Sequence, residues 1–236
     1  MTKTASILRF DPNGPDGLEV WEQMDYASLV SGEPVQQGHL YHEVEDKGYM
    51  VGVWTCTAFT DQMMPYTVDE YMLFLEGNLT MVLPDGREIE IRAGDAFVIP
   101  RGFECQWKQT GFVHKIFMIL DGPVPKADNA SLRRITVPDL TSPTGAEVST
   151  SRTDFLNAAG TMRVEVQDHG AVAQLSRTFN AHELITVLDG TLHLYDGEAE
   201  HAFNKGDTAY IRQGDSAGWK TTQGTRMIVA SCAAPA

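Results

Sequence analysis

The sequence predicts an all-β protein made of two tandem antiparallel barrels related by internal duplication. Three observations predict it. A pair of motifs recurs once at nearly constant spacing, short apolar runs are closed by glycine-containing turns, and no segment carries a long, well-capped helical period.

The repeat is legible residue by residue. Asp69-Glu70-Tyr-Met-Leu-Phe-Leu-Glu-Gly77 matches His182-Glu183-Leu-Ile-Thr-Val-Leu-Asp-Gly190, with Glu70 and Glu183 113 residues apart and Gly77 and Gly190 likewise. Gly94-Asp-Ala-Phe-Val-Ile-Pro-Arg-Gly102 matches Gly206-Asp-Thr-Ala-Tyr-Ile-Arg-Gln-Gly214 at an offset of 112, which Trp107 and Trp219 keep. Gly32 with Gly145, and Val53 with Val166, extend the match toward the start of each unit. Residues 1–120 form the first unit and 131–236 the second. Between them, residues 121–130 are rich in proline and polar residues and read as a linker.

Within each unit the elements read as strands. Tyr71–Leu75 and Leu184–Leu188 are apolar runs rich in β-formers. Leu79–Leu83 and Leu192–Tyr195 follow, and turns at Pro84-Asp-Gly86 and Asp196-Gly197 reverse the chain. Gly94-Asp95 and Gly206-Asp207 are further turns, each before an apolar strand. Many short strands with regular turns indicate a sandwich or barrel. The segment of roughly thirty residues before the first barrel is long enough to add an edge strand or to cover a neighbour.

Composition narrows the partners. The net charge of −14 disfavours nucleic acid and anionic membrane surfaces, while a few local cations can still attract an anionic small molecule. Cys56, Cys105 and Cys232 are odd in number and lack CxxC spacing, so no disulfide framework is expected. The start, MTKTASILRF, has no long apolar run, and no stretch approaches a membrane span. The expectation is a reduced, cytoplasmic protein.

The two motifs resemble those of the cupin superfamily, whose first motif ends Glu, six residues, Gly, and whose second begins Gly, five residues, Pro, any residue, Gly. Gly94, Pro100 and Gly102 complete the second motif in the first unit; in the second unit Arg212 replaces the proline between Gly206 and Gly214. The run GDAFVIPRGFECQW, with Lys115 eight residues after Trp107, is most similar to the branch containing (S)-ureidoglycine aminohydrolase-type domains, many of unknown function. The resemblance implies a bicupin of two RmlC-like jelly-roll barrels, the second degenerate. It also implies that dimers are compatible with the fold, because exposed sheets in relatives often self-pair.

Metal-binding cupins carry a His-x-His pair before the glutamate and a later histidine. Alternation along a strand aims both imidazoles inward, and the mixed set suits iron, manganese, nickel or zinc. Here the paired positions hold Met64 and Tyr66, and the later one holds Cys105; in the second unit they are Arg177, Phe179 and Ala217. No cofactor is expected. In the second barrel Arg177 can neutralise Glu183 in place of a metal charge. In the first, a weakly held metal at Glu70 and Cys105 stays open, although two ligands fall short of the usual three or four.

The remaining candidates each have two readings. Glu70 is either a buried general acid or base or a structural partner of Lys115 or an arginine. Lys115 either binds a carboxylate or oxyanion or faces outward; His114 takes the other face. Trp107 and Trp219 either wall a pocket or fill the core, core being the reading for Trp219. Tyr66 offers a hydroxyl or fills space, Met63 or Met64 is flexible filler, and Cys105 reads as an inert buried thiol. The resulting picture is a small polar, carboxylate- or ureido-bearing compound held in the first barrel by Glu70, Lys115, Tyr66 and Trp107, with Met64 and Cys105 also among the ligand-binding residues. It would undergo metal-independent isomerase, lyase or aminohydrolase-like chemistry, or be bound without reaction. A third reading is a scaffold with both barrels filled by their own side chains.

Overall fold

A computed structural model of the 236-residue chain describes residues 6–122, 126, 130–135, 149–197 and 199–233. The proposed linker at 121–130 falls largely outside the described residues, as does Gly145. Among the described residues every strand pairing is antiparallel, and there is no α-helix, only two short 3₁₀ turns, Tyr26–Ser28 and Glu45–Lys47. Among them no helix is long and apolar enough to cross a membrane.

The described parts of the chain form two compact units. One comprises Asp11–Ile135 with Asn157–Ala159; the other comprises residues 6–10, 149–156 and 160–233. The first unit has a seven-stranded sheet in the order Arg133–Ile135, Ala96–Ile99, Asp69–Glu76, Val113–Leu120, Tyr49–Cys56, Gln36–Val44, Glu19–Val20. Facing it are Glu88–Arg92, Asn78–Val82, Glu104–Gln109, Phe59–Asp61 and Leu29–Ser31, with Met64–Pro65 attached to Glu104–Gln109. The second unit repeats the large sheet as Ile7–Arg9, Thr208–Ile211, His182–Asp189, Thr225–Cys232, Met162–His169, Thr150–Leu156. Its smaller sheet is Val172–Thr178, Ser216–Thr221, Thr191–Asp196, Ala199–Asn204. Each pair of sheets encloses one apolar cluster. Met72, Phe74, Phe97, Trp107 and Phe117 lie in the first, and Phe179, Ile185, Val187, Trp219 and Met227 in the second.

The outermost strand of each large sheet differs from the division at 120 and 131. Ile7–Arg9 precedes the first unit in sequence but pairs with Thr208–Ile211 of the second, burying Ile7. Arg133–Ile135 pairs with Ala96–Ile99 of the first unit, burying Ile135. Both satisfy an edge that would otherwise present unpaired backbone groups. Three residues carry too little pattern to reveal their sheet, which is why repeat spacing alone assigned them by position.

The segment before the first barrel also enters its core. Trp21, Met24 and Leu29 pack against the first cluster, and Trp21 meets Phe117 edge-on, with ring centroids 6.2 Å apart. Gly38 makes room for it, since a Cβ there would lie 2.4 Å from the indole.

The structure explains the first motif's glycine. Gly77 and Gly190 turn with φ of +84° and +74°, and each presses against the backbone at the start of the last strand. A Cβ on Gly77 would sit 2.0 Å from the Phe112 carbonyl oxygen, and one on Gly190 would sit 2.7 Å from Thr225 Cα. Gly94 also has positive φ, but open space surrounds its missing Cβ. Gly94→Ala is therefore expected to cost about 1–2 kcal/mol from left-handed strain alone. Gly77→Ala adds a backbone clash and is expected to cost roughly 2–5 kcal/mol. Urea unfolding of the two variants checks the order; equal losses would show that the close approach at Phe112 does not matter.

Candidate functional site

Inward-facing residues on neighbouring strands of the first unit line up in rows. Glu70 stands opposite Ile99 and Ile119, Met72 opposite Phe117, and Phe74 opposite Lys115, which is opposite Trp54. A register shift between His114 and Lys115 separates these neighbours. His114 Nε2 lies 2.7 Å from the Pro12 carbonyl, while Lys115 runs along the barrel interior. Its Nζ passes 3.3 Å from Met72 Sδ and donates to Glu70 Oε1 at 2.7 Å. The Tyr66 hydroxyl donates to Glu70 Oε2. Both side chains of the ion pair are buried, at 4% exposure for Glu70 and 8% for Lys115.

Aromatic rings surround the ammonium. Its Nζ is 4.6 Å from the centroid of Trp54 and 5.1 Å from that of Trp107. A cation over desolvated ring faces is attracted by their quadrupoles. Trp107 lies parallel to Phe59 and edge-on to Trp54. Both indole N–H groups are satisfied, by Gln36 Oε1 and Gln109 Oε1, each at 3.0 Å. Gln109 in turn donates to the Cys56 carbonyl at 2.8 Å. The ring positions are thus locked by hydrogen bonds as well as packing.

A cavity of about 180 Å³ opens onto this group, lined by Trp54, Phe59, Asp61, Tyr66, Trp107 and Lys115, with Met24, Ser28 and Leu29 from the preceding segment. Glu70 is not part of the lining; Lys115 and Tyr66 stand between it and the space. Burial raises the Asp61 carboxyl above the ordinary aspartate range. Burial, reinforced by Glu70, pushes the Tyr66 phenol well above 10, so it stays protonated and donates.

Tyr66, Trp107 and Lys115 thus come together around one space, with Glu70 behind. Met64 does not join them. It stands 36% exposed on the two-residue strand Met64–Pro65, opposite Cys105 at the sheet's margin, where it neither fills the barrel nor lines the cavity. Cys105 is buried in the core cluster and also lies outside the lining, and burial pushes its thiol up to about 12; Cys56 is raised to about 11. Neither is a thiolate near neutral pH. Sequence reading missed Trp54, Phe59, Asp61 and the Met24–Leu29 stretch. Only the offset of 113 between Trp54 and Gln167 bears on the first, and nothing in the sequence marks the others.

In the second barrel Arg177 Nη2 donates to Glu183 Oε1, and the guanidinium carbon sits 4.3 Å from the Phe179 centroid and 5.6 Å from that of Trp219. Phe179 and Trp219 are core residues. Burial raises the Glu183 carboxyl, and Arg177 opposes the shift. His182 lies parallel to Tyr210, away from Glu183.

The donor sets do not suit a metal. No group of three or more His, Cys, Asp or Glu gathers among the described residues, and an ammonium rests on Glu70 and a guanidinium on Glu183. A larger concavity of about 600 Å³, between the Leu83–Arg87 turn, Phe103 and Leu132, contains none of the sequence-derived candidates.

Residues 44–117 and 161–227, together more than half of the chain, match the EutQ-like cupin domain. The chain belongs to the EutQ-like cupin family. No curated protein matches this cupin. Its fold is shared by a DUF861-family protein of unknown function from Pseudomonas syringae pv. tomato (TM-score 0.73, 18% identity, 97% of this chain and 100% of that one). It is shared also by Ylba from E. coli, again DUF861 (0.61, 10%, 100% and 95%), and by a putative dioxygenase from Nostoc punctiforme (0.63, 14%, 96% and 82%). At these identities the likeness concerns the fold.

Lys115→Met would leave Glu70 buried without its partner. A loss of roughly 3–5 kcal/mol is expected at neutral pH, as for other broken buried pairs. The double variant Glu70→Gln/Lys115→Met should recover most of it in urea unfolding. A double variant as unstable as the single one would show that charge pairing is not what holds this part of the barrel.

Proposed function

We propose that this cupin binds a small planar carboxylate or ureide in the first barrel without transforming it, and that it does so without a metal. One observation carries the reading: Lys115 and Tyr66 face the cavity, while each oxygen of Glu70 already holds a donor from the chain itself. A general base must come within hydrogen-bond reach of the proton it takes. Glu70 meets that condition only if Tyr66 or Lys115 moves aside. At about 30 Å³ per water-sized group, 180 Å³ holds on the order of six such groups. Trp54, Phe59 and Trp107 offer flat faces, and Lys115 a remaining N–H donor for a carbonyl or carboxylate oxygen.

A second reading is metal-independent proton transfer of the isomerase, lyase or aminohydrolase kind. It is favoured by the contact of Tyr66 with both cavity and Glu70, which makes a relay through the phenol geometrically direct. The name of the Nostoc neighbour points to dioxygen chemistry, for which the donor sets described above offer no metal-ligand group.

A thermal-shift screen of small carboxylates and ureides tests the first reading, because a ligand at about 100 times its Kd stabilises by about 2.7 kcal/mol. A hit that binds Glu70→Gln as tightly as the parent, with no turnover in either, supports binding alone. Turnover abolished by both Glu70→Gln and Tyr66→Phe supports the relay, and no hit overturns both readings.

Asp61 predicts a pH effect. Its raised carboxyl takes up a proton at higher pH than an ordinary aspartate, which removes a negative charge from the cavity wall. A bound carboxylate is therefore expected to bind more tightly at mildly acidic pH than above neutrality, and Asp61→Asn should flatten that dependence in calorimetric titrations.

A further inference from the structure

The second barrel is polar where the first is apolar. In its large sheet, Arg163 lies opposite Ser231, and Ser231 opposite Glu183, so the three form one row across adjacent strands. The next row is Glu165, Val229 and Ile185, and the next is Gln167, Met227 and Val187. The repeat sets Arg163, Glu165 and Gln167 against Met50, Gly52 and Trp54, and Ser231 against Ile119. Four cavity positions that are apolar or glycine in the first barrel are charged or hydrogen-bonding in the second.

These residues line a cavity of about 380 Å³, which also includes Arg177, Asn180 and Glu183. Unlike Glu70, Glu183 is itself part of the lining. Its side chain is 11% exposed and that of Arg177 is 35% exposed, so the ion pair borders the space. Glu165 accepts from Thr153 Oγ1 at 3.0 Å and from Gln167 Nε2 at 3.1 Å, with Arg163 Nη1 at 3.5 Å, so the carboxylate is held in place. Two guanidinium groups and two carboxylates therefore share one cavity wall. Their charges cancel, which favours neither a simple anion nor a simple cation.

We infer that the second barrel is a separate binding site for a zwitterion, a small molecule carrying both a carboxylate and an ammonium. Arg163 and Arg177 receive the carboxylate, since planar guanidinium groups match its two oxygens. Glu183 and Glu165 receive the ammonium. The barrel whose motifs are more eroded is then the one with the more polar pocket, and loss of the metal-ligand pattern marks a change of ligand chemistry rather than of purpose.

The test uses the full chain and a graded series of zwitterions, namely glycine, β-alanine and γ-aminobutyrate, beside acetate, propionate, methylamine and propylamine. At least one zwitterion is expected to raise the unfolding midpoint with dose at millimolar concentration, while the matched acids and amines do not. Arg163→Met with Ser231→Ile restores the first barrel's residues at the rim and should weaken that response at least tenfold. Glu183→Gln, which keeps the volume of the buried side chain, should weaken it comparably, and circular dichroism confirms that each variant is folded. No response across the series, an equal response to the acids alone, or a response unchanged in both folded variants overturns the inference.

Discussion

In each barrel of this cupin the glutamate of the first motif is buried, and one cation lying on aromatic rings makes that burial tolerable. A lone ionised carboxylate loses several kcal/mol of hydration on entering such an interior. Coulomb attraction offsets much of this only if the partner is close and its own hydration is replaced. Lys115 meets both conditions through Glu70 and the faces of Trp54 and Trp107. Arg177 meets them through Glu183, Phe179 and Trp219.

The cation comes from different strands in the two units. Arg177 follows Met64 by 113 residues, and Met227 follows Lys115 by 112, so cation and methionine have traded places between the strand before the glutamate and the last strand. Either origin supplies one positive charge to the same carboxylate. What differs is the route of approach. Lys115 reaches Glu70 from deep in the barrel and, with Tyr66, screens it from the cavity. Arg177 sits at the open end and leaves Glu183 on the wall. The same neutralised pair is therefore part of an aromatic floor in one barrel and of a polar rim in the other.

Much of this was legible in the sequence, for physical reasons. Repeated Glu-to-Gly spacing reported the barrels because only a residue tolerating positive φ and close backbone approach fits at Gly77 and Gly190. Strand alternation set His114 against Lys115, and the structure has His114 at the Pro12 carbonyl and Lys115 at Glu70; loss of the histidine pair drew attention to Arg177, which lies on Glu183. Met64 misled because the repeat gives a position along the chain but not how far a two-residue marginal strand reaches into the barrel.

By itself, the sequence determined the duplicated β-architecture, the family motifs and the position of one motif glutamate in each unit, since these follow from local turn chemistry and period-two patterning. Tertiary structure alone decided which carboxylate faces a cavity, that Trp21, Met24 and Leu29 enter the first core, and that each large sheet ends on a strand encoded outside its own repeat. Those outcomes depend on long-range register and on which side chain reaches a shared space first, and no local pattern encodes either.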